Sequence, residues 1–198
     1  MYTDGKHLRR LAKRVGADPV AGQKPAWNFA DPLPLEQRPV GGGLAVPYLA
    51  NKVSYKYDRV SNTYRRSVTG EKKQTDAGTK TRIAPTNVIV MSVRFAPLND
   101  GSHKSRLEAQ VTGSGKAWIS TNGKTIRGTW KKPGFRGKTQ FFDRNGNKVT
   151  LTRGQTFVQV VPLSAKITVT PGQAPTASTT SPIAAAGGPI GAVGRFIS

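Results

Sequence analysis

The sequence contains no cysteine and few acidic residues. Because none of its 198 residues is a cysteine, disulfides, thiolate nucleophiles and thiolate zinc sites are excluded. Ten Asp and Glu stand against 31 Lys and Arg, no acid follows Asp143, and the formal net charge is +21. A field of this sign and size favours anionic partners such as nucleic acid, acidic lipid or cell-wall polymer, although a secreted or abundant protein can also be basic for other reasons.

Long apolar runs and catalytic spacings are also absent. No stretch approaches the roughly 18 apolar residues that a membrane span needs, and the basic N-terminus lacks the apolar core of a signal peptide. His7 and His103 each stand alone, the acids show no pairing, and no nucleophile elbow or phosphate-binding glycine loop occurs. The sequence therefore predicts no metal, cofactor or catalytic residue, and an enzyme is the class it supports least.

An amphipathic helix is predicted at the N-terminus. Apolar residues recur at helical spacing over residues 4–15, Thr3 or Asp4 can cap the start, and Gly16 suits the left-handed end. We expect this helix to pack on a sheet with its basic face in water. A membrane or nucleic-acid helix would show the same pattern and stays an alternative.

Three regions follow from composition. The Pro- and Gly-rich connector after the helix contains Trp27 and Phe29, which we expect to insert into a core from an extended segment. The last region consists mainly of small residues and proline, which cannot bury enough apolar area to offset their ordering entropy. The predicted division is a helix and connector (1–43), a β-rich module (44–170) and a disordered tail (171–198).

The module shows the alternation and turn signals of a β protein. Asn122–Gly123 is the strongest hairpin turn, Asn145–Gly146 repeats it, and Gly154 precedes the last strand. The fold class is therefore α+β, mostly β: an antiparallel meander or twisted sheet of about eight short strands with one N-terminal helix. The predicted strands are VSYKYD, NTYRRSVT, NVIVMSVRF (a buried central strand), GKAWIST, GKTIRGTW, TQFFD, KVTLT and QTFVQVVP.

The aromatic residues of the meander are predicted to lie mostly in the core. Alternate residues of a strand face opposite sides, so Trp130 shares a face with Ile126 and not with Arg127. Phe141 and Phe142 likewise point to opposite faces. A nucleic-acid platform needs rings and basic groups on one exposed face, and the alternation largely separates them here. Trp27, Trp118 and Trp130 are therefore interpreted as structural residues.

Two basic groups are candidate polyanion-binding residues. Residues 116–153 contain ten basic residues and one acid, and within them the KPGFRG loop presents an aromatic ring between cations. The first candidate group is Lys131, Lys132, Phe135, Arg136 and Lys138, and the second is Arg65, Arg66, Lys72 and Lys73. The expected partner is an anionic cell-wall polymer or phospholipid head groups, with nucleic acid as the alternative.

The order of motifs resembles the YerB-like bacterial lipoprotein family, a domain of unknown function. The resemblance covers about residues 1–163 and is most specific where a glycine-rich entry leads to GTW, an Asn-Gly turn and a GQTF strand. The segments that carry it are MYTDGKHL, the connector with Trp27 and Phe29, VSYKYDRVSNTYRR, TNVIVMSVRF, GSGKAWISTNGKTIRGTWKK, DRNGNKVTLTRGQTF and FVQVVP.

The resemblance implies a location but no catalytic residues. Members of the family typically carry a lipoprotein signal and a further N-terminal region ahead of a segment like YTDG, and this sequence shows neither. The resemblance therefore implies that residues 1–43 are the remnant of a larger N-terminal region. The resemblance implies an exported protein anchored at the outer face of the cytoplasmic membrane. If Met1 is the true start, a cytoplasmic protein is expected instead.

Overall fold

β-Strands are the main secondary structure of the described residues, and one α-helix precedes them, as predicted. The computed structural model describes residues 5–16, 25–69, 73–98, 101 and 106–175. All eight predicted strands occur there, and four further strands add to them: Asn28–Ala30, Gly43–Pro47, Leu107–Gln110 and Thr168–Thr170. The elements are α1 (Gly5–Arg14), β1 (Asn28–Ala30), the 3-10 helix Leu35–Gln37, β2 (Gly43–Pro47), β3 (Lys52–Asp58), β4 (Thr63–Val68), β5 (Asn87–Pro97), β6 (Leu107–Gln110), β7 (Gly113–Thr121), β8 (Lys124–Lys132), β9 (Gln140–Phe142), β10 (Thr150–Thr152), β11 (Thr156–Pro162) and β12 (Thr168–Thr170).

A six-stranded sheet forms the centre of the fold. Its strand order is β11-β5-β7-β8-β9, with β6 paired to the end of β5. The first seven residues of β5 are buried, which confirms the predicted central strand. The meander from β5 through β9 is antiparallel, whereas β11 runs parallel to β5 and β1 runs parallel to β10. The prediction contained no parallel pair, because alternation indicates a strand but not its partner.

Apolar layers pack on both faces of the central sheet, each over part of its area, which gives two cores. A four-stranded sheet, β12-β2-β3-β4, packs its apolar side on Val88, Val90 and Val161. On the opposite face, Ile89, Met91, Ala117, Ile119, Trp130 and Phe141 pack with Val149 and Leu151 next to the β1–β10 pair. Trp130 and Phe141 are therefore core residues, as predicted.

The connector reaches the second core through Trp27. The Trp27 ring lies 5.5 Å from the Phe141 ring, and its Nε1 donates to the Thr139 carbonyl at 2.8 Å. This confirms the predicted insertion for Trp27. Phe29 on β1 is 37% exposed and belongs to neither core cluster, so the expectation that it also inserts is wrong; its ring lies 6.4 Å from the Trp27 ring. Because β1 is an edge strand paired only with β10 among the described residues, one side of Phe29 has no covering layer.

The β7–β8 hairpin turns at Asn122–Gly123, as predicted. Both residues take positive φ, 46° and 73°, and the register pairs Thr121 with Lys124 across a two-residue turn. The Asn122 Oδ1 accepts from Asn62 Nδ2 at 2.8 Å and from the Leu33 amide at 3.3 Å. The turn therefore also ties β7–β8 to the connector and to the β3–β4 turn.

Replacing Gly123 with alanine is expected to lower the free energy of unfolding by about 2 to 3 kcal/mol. The alanine would have to keep the left-handed φ of Gly123. Its Cβ would collide with the Tyr57 ring and lie 2.6 Å from Pro39 Cγ. Gly146→Ala is the matched control, because Gly146 also has a positive φ but nothing within 4 Å of its Cβ position. Chemical denaturation should show a loss of about 1 kcal/mol for the control, and equal losses in the two variants would contradict the packing argument.

The second predicted hairpin, around Asn145–Gly146, is much reduced. Gly146 has φ 83°, but Asn145 is not among the described residues with positive φ. A single bridge joins Phe142 to Lys148, and β10 then pairs with β1 instead of β9. The Asp143 carboxylate accepts backbone N–H groups within this turn and so fixes a different turn shape. Gly154, with φ 139°, occupies a position where a Cβ would collide with Thr86.

Helix α1 is not packed on the sheet, which corrects the expectation of a packed helix. No residue of α1 is buried, and Leu8 and Leu11 are each 54% exposed. Gly16 has the predicted left-handed φ of 65°, whereas Thr3 and Asp4 lie outside the described residues. Within the described part of the chain, no helix has the length and apolar character to cross a lipid bilayer.

The beginning of the predicted tail joins the smaller sheet. Gln173 and Val40 exchange backbone hydrogen bonds of 2.9 Å, which continue the edge next to the β12–β2 pair. Residues 176–198, the rest of the predicted tail, lie outside the described residues.

Candidate polyanion-binding surface

The first predicted basic group is divided between two faces of β8. Lys131 and Lys132 are neighbours on one strand and therefore point to opposite sides of the sheet. The Nζ atom of Lys131 lies 5.2 Å from the Phe142 ring centroid, whereas that of Lys132 lies 5.9 Å from the Phe135 ring. Arg136 and Lys138 are exposed in the loop that follows β8, and Phe135 is 89% exposed. Lys132 and Phe135 form the part of this group that the structure brings into contact.

The second predicted group is also divided. Arg65 forms an ion pair with Asp58 on the outer side of the four-stranded sheet. Arg66 points to the other side, where its Nε donates to the Tyr55 hydroxyl at 3.2 Å and is partly buried. Lys73 is exposed, and Lys72 lies outside the described residues. Arg65 and Arg66 therefore do not form one surface.

A third arrangement combines aromatic rings and cations on a single open face. In the β7–β8 register Trp118 lies directly opposite Arg127, and Lys116 lies opposite Thr129. Thr129 in turn lies opposite Phe142 on β9, so all these side chains share one side of the sheet. We call this side the β7–β9 face and define it by Lys116, Trp118, Arg127, Lys131 and Phe142, together with Arg144 at its edge.

The β7–β9 face is open because the smaller sheet covers only the other half of the central sheet. The first core lies over β5 and β11, and Trp118 packs against its edge while staying half-buried. Beyond Trp118, two clefts of about 750 and 590 Å³ share Arg127, Asp143 and Arg144. The larger cleft extends from Lys124 towards Pro171, and the smaller one lies over Trp118, Lys116 and Thr129.

The cations of this face are available to an external anion. Arg127, Arg144 and Lys116 are exposed, and no described carboxylate lies within ion-pair distance of them. Arginine binds phosphate and carboxylate groups through two parallel N–H bonds and stacks on aromatic rings. Trp118 and Phe142 supply such rings beside the cations. The face can therefore hold an anionic group and a flat or apolar group side by side.

Asp143 is the one acid among the described residues that line the two clefts. The backbone N–H of Asn147, followed by its side-chain amide and the N–H of Asn145, holds the pKa of Asp143 below its usual value. Because its folded-state pKa is depressed, the carboxylate contributes to turn stability above the unfolded pKa, and that contribution is lost as pH falls through the folded value. At neutral pH the cleft therefore contains one fixed negative charge.

Replacing Asp143 with asparagine is expected to raise the affinity for a polyanion by about two- to fivefold. The amide oxygen of asparagine can still accept from the Asn145 and Asn147 amides, so the turn is kept while the negative charge is removed. Fluorescence titration with inorganic polyphosphate measures the change. Asp76→Asn is a suitable control, because Asp76 caps a different exposed turn through Thr79 and Gly78. An unchanged affinity in Asp143→Asn would place the bound anion away from the clefts.

The positions of Trp118 and Phe142 correct the prediction that alternation largely separates aromatic rings from basic residues, because both rings share a side with Arg127 and Lys131. A signal for this was present in the sequence. Once Asn122–Gly123 is accepted as a two-residue turn, counting back from it places Trp118 opposite Arg127. Alternation along one strand does not show this, because the ring and the cation come from neighbouring strands. The pair Phe141 and Phe142 does point to opposite faces, as predicted.

No group of three or more potential metal ligands was found within the residues that the structure describes. The Asp143 turn, which contains Asn145 and Asn147, satisfies its carboxylate with amide hydrogen bonds.

Comparisons with known proteins give a family and a fold. Residues 44–158 match the family described as protein of unknown function (DUF3048), C-terminal domain. The crystal structure of YerB protein from Bacillus subtilis is similar at a TM-score of 0.64 and 20% identity, which shows the fold alone. The match covers 84% of this chain and 54% of that one, so this chain spans about half the length of that protein. No curated protein matches the chain.

Proposed function

This chain belongs to the DUF3048 family of unknown function, whose C-terminal domain it contains, and we propose a binding role for it. It is a non-catalytic module of the cell envelope that holds an anionic, phosphate-bearing polymer on its β7–β9 face. The envelope location rests on the YerB-like resemblance, which implies export. The ligand chemistry rests on the charges and rings of the face itself.

The proposal rests on one observation: two aromatic rings and two cations lie on the same side of the central sheet, namely Trp118, Phe142, Arg127 and Lys131. Two clefts that share Arg127 and Arg144 give this side a concave shape. The backbone phosphates would bind the arginines, and the uncharged part of each unit would pack on the rings. A binding role is favoured because Asp143, the acid of the clefts, already accepts three turn hydrogen bonds.

A titration tests the proposal. The full chain is titrated at physiological salt with inorganic polyphosphate, a teichoic-acid-like polyol phosphate, duplex DNA and single-stranded RNA, and tryptophan fluorescence and thermal unfolding are followed. The proposal is supported if polyphosphate and the polyol phosphate bind and stabilise the chain selectively, in preference to DNA and RNA. Equal weak binding of all four, with no change in the unfolding temperature, would reduce it to non-specific attraction between opposite charges.

Nucleic acid is the second candidate, and one observation favours it. Phe135 is 89% exposed with the Lys132 ammonium beside its ring, and Arg136 follows it in the loop. An exposed ring between cations can stack on an unpaired base while the cations contact phosphates. Competition separates the candidates: RNA that displaces the polyol phosphate, and whose binding is lost in Phe135→Ala, would replace the leading proposal. In the same experiment the leading proposal predicts no effect of Phe135→Ala.

A further inference from the structure

Helix α1 exposes an apolar stripe that nothing in the described chain covers. Leu8 and Leu11 of α1 are each 54% exposed. Val15 directly follows α1, its amide donates to the Leu11 carbonyl, and it is 65% exposed on the same side. Isolated helices of fewer than about 12 residues are marginal in water unless packing stabilises them. Because α1 has ten residues and none is buried, its stability requires a partner surface.

The cations of α1 are separated from its apolar residues. At 100° per residue, Leu8, Leu11, Ala12 and Val15 occupy an arc of about 100°. The five cations Lys6, Arg9, Arg10, Lys13 and Arg14 fill the remaining side and flank the stripe on both edges. The helix contains no acid. The partner must therefore be apolar where it contacts the stripe and negatively charged around it.

We propose that α1 lies on an anionic phospholipid surface, with its apolar stripe at the level of the acyl chains. A bilayer with acidic head groups offers apolar depth and surrounding negative charge together. Lysine and arginine side chains at the edges of the stripe can extend their alkyl stems into the apolar layer while their charges reach the phosphates.

Nucleic acid fits α1 less well than a lipid surface does. A polynucleotide backbone would neutralise the basic side but leave Leu8, Leu11 and Val15 in water. The lipid contact uses different residues from the β7–β9 face. It does not depend on the proposed polymer binding and would hold the module near the surface where such a polymer is found.

Vesicle partition of the full chain tests this contact. The wild type is mixed with phosphatidylglycerol–phosphatidylcholine vesicles and with vesicles of phosphatidylcholine alone, and the bound fraction is measured by flotation. The variant Leu8→Gln/Leu11→Gln removes the apolar stripe without changing any charge. The matched control is Leu107→Gln/Leu163→Gln, because these leucines are exposed to a similar degree, 64% and 66%, elsewhere on the chain.

We expect the wild type and the control to bind the acidic vesicles equally, and the α1 variant to bind them about fivefold more weakly or worse, because two apolar side chains no longer enter the bilayer. All three should leave phosphatidylcholine unbound and keep the same affinity for soluble polyphosphate. Equal vesicle binding by the α1 variant and the wild type would overturn the proposal. A wild-type dimer that only the α1 variant converts to a monomer, with unchanged vesicle binding, would overturn it in favour of self-association.

Discussion

Trp130→Ala is expected to lower the free energy of unfolding by about 3 to 5 kcal/mol. Trp130 is 2% exposed in the second core, opposite Phe141, and its Nε1 donates to the Ser92 carbonyl at 3.0 Å. The substitution leaves a cavity and removes a hydrogen-bond donor from a buried carbonyl, and each effect is costly. Chemical denaturation followed by far-ultraviolet circular dichroism measures the loss.

Trp118→Ala is the matched control for this prediction. Trp118 is only half-buried at the edge of the first core, so its loss should cost clearly less stability than the loss of Trp130. It should instead weaken polymer binding, because the ring belongs to the β7–β9 face. If Trp130→Ala were as stable as the wild type, the assignment of its ring to the core would be wrong.

Charge reversal at the clefts has the largest expected effect on binding. The variant Arg127→Glu/Arg144→Glu is expected to weaken polyphosphate binding by about 30-fold or more at physiological salt. Both guanidinium groups line both clefts, so the reversal replaces attraction by repulsion at the centre of the proposed surface. Both residues are exposed, and the unfolding temperature should change little.

The loop provides a control of identical charge. Lys132→Glu/Arg136→Glu changes the net charge by the same amount but acts near Phe135 and outside the clefts. Because total charge is matched, a larger loss in the cleft variant identifies the β7–β9 face. Equal losses in the two variants would mean that binding follows net charge alone. A larger loss in the loop variant would favour the nucleic-acid candidate.

Local patterns predicted the strands and the partition of the rings. The Asn122–Gly123 turn, the buried β5 strand and the opposite orientation of Phe141 and Phe142 all depend on residues within a few positions of one another. Such features are determined by backbone sterics and by side-chain alternation, which a single sequence contains.

Non-local pairing could not be predicted in the same way. The parallel β11–β5 pair joins residues about 70 positions apart, and its apolar alternation would suit either direction or another neighbour. The open β7–β9 face depends on where the smaller sheet ends, and that follows from the β12–β2 pairing. The prediction that α1 packs on the sheet was wrong for a related reason. An amphipathic pattern indicates an apolar partner but does not identify that partner.

The central claim is that the anion binds beside Trp118, and the three tryptophan indole N–H signals test it most directly. Proton–nitrogen spectra resolve one such signal for each tryptophan, and Trp118→Phe assigns one of them by its loss. Trp130 donates to Ser92 and Trp27 donates to Thr139, away from the β7–β9 face. On titration with polyphosphate we expect the Trp118 signal to move and saturate while the other two stay in place. A static Trp118 signal at saturating ligand would contradict the claim.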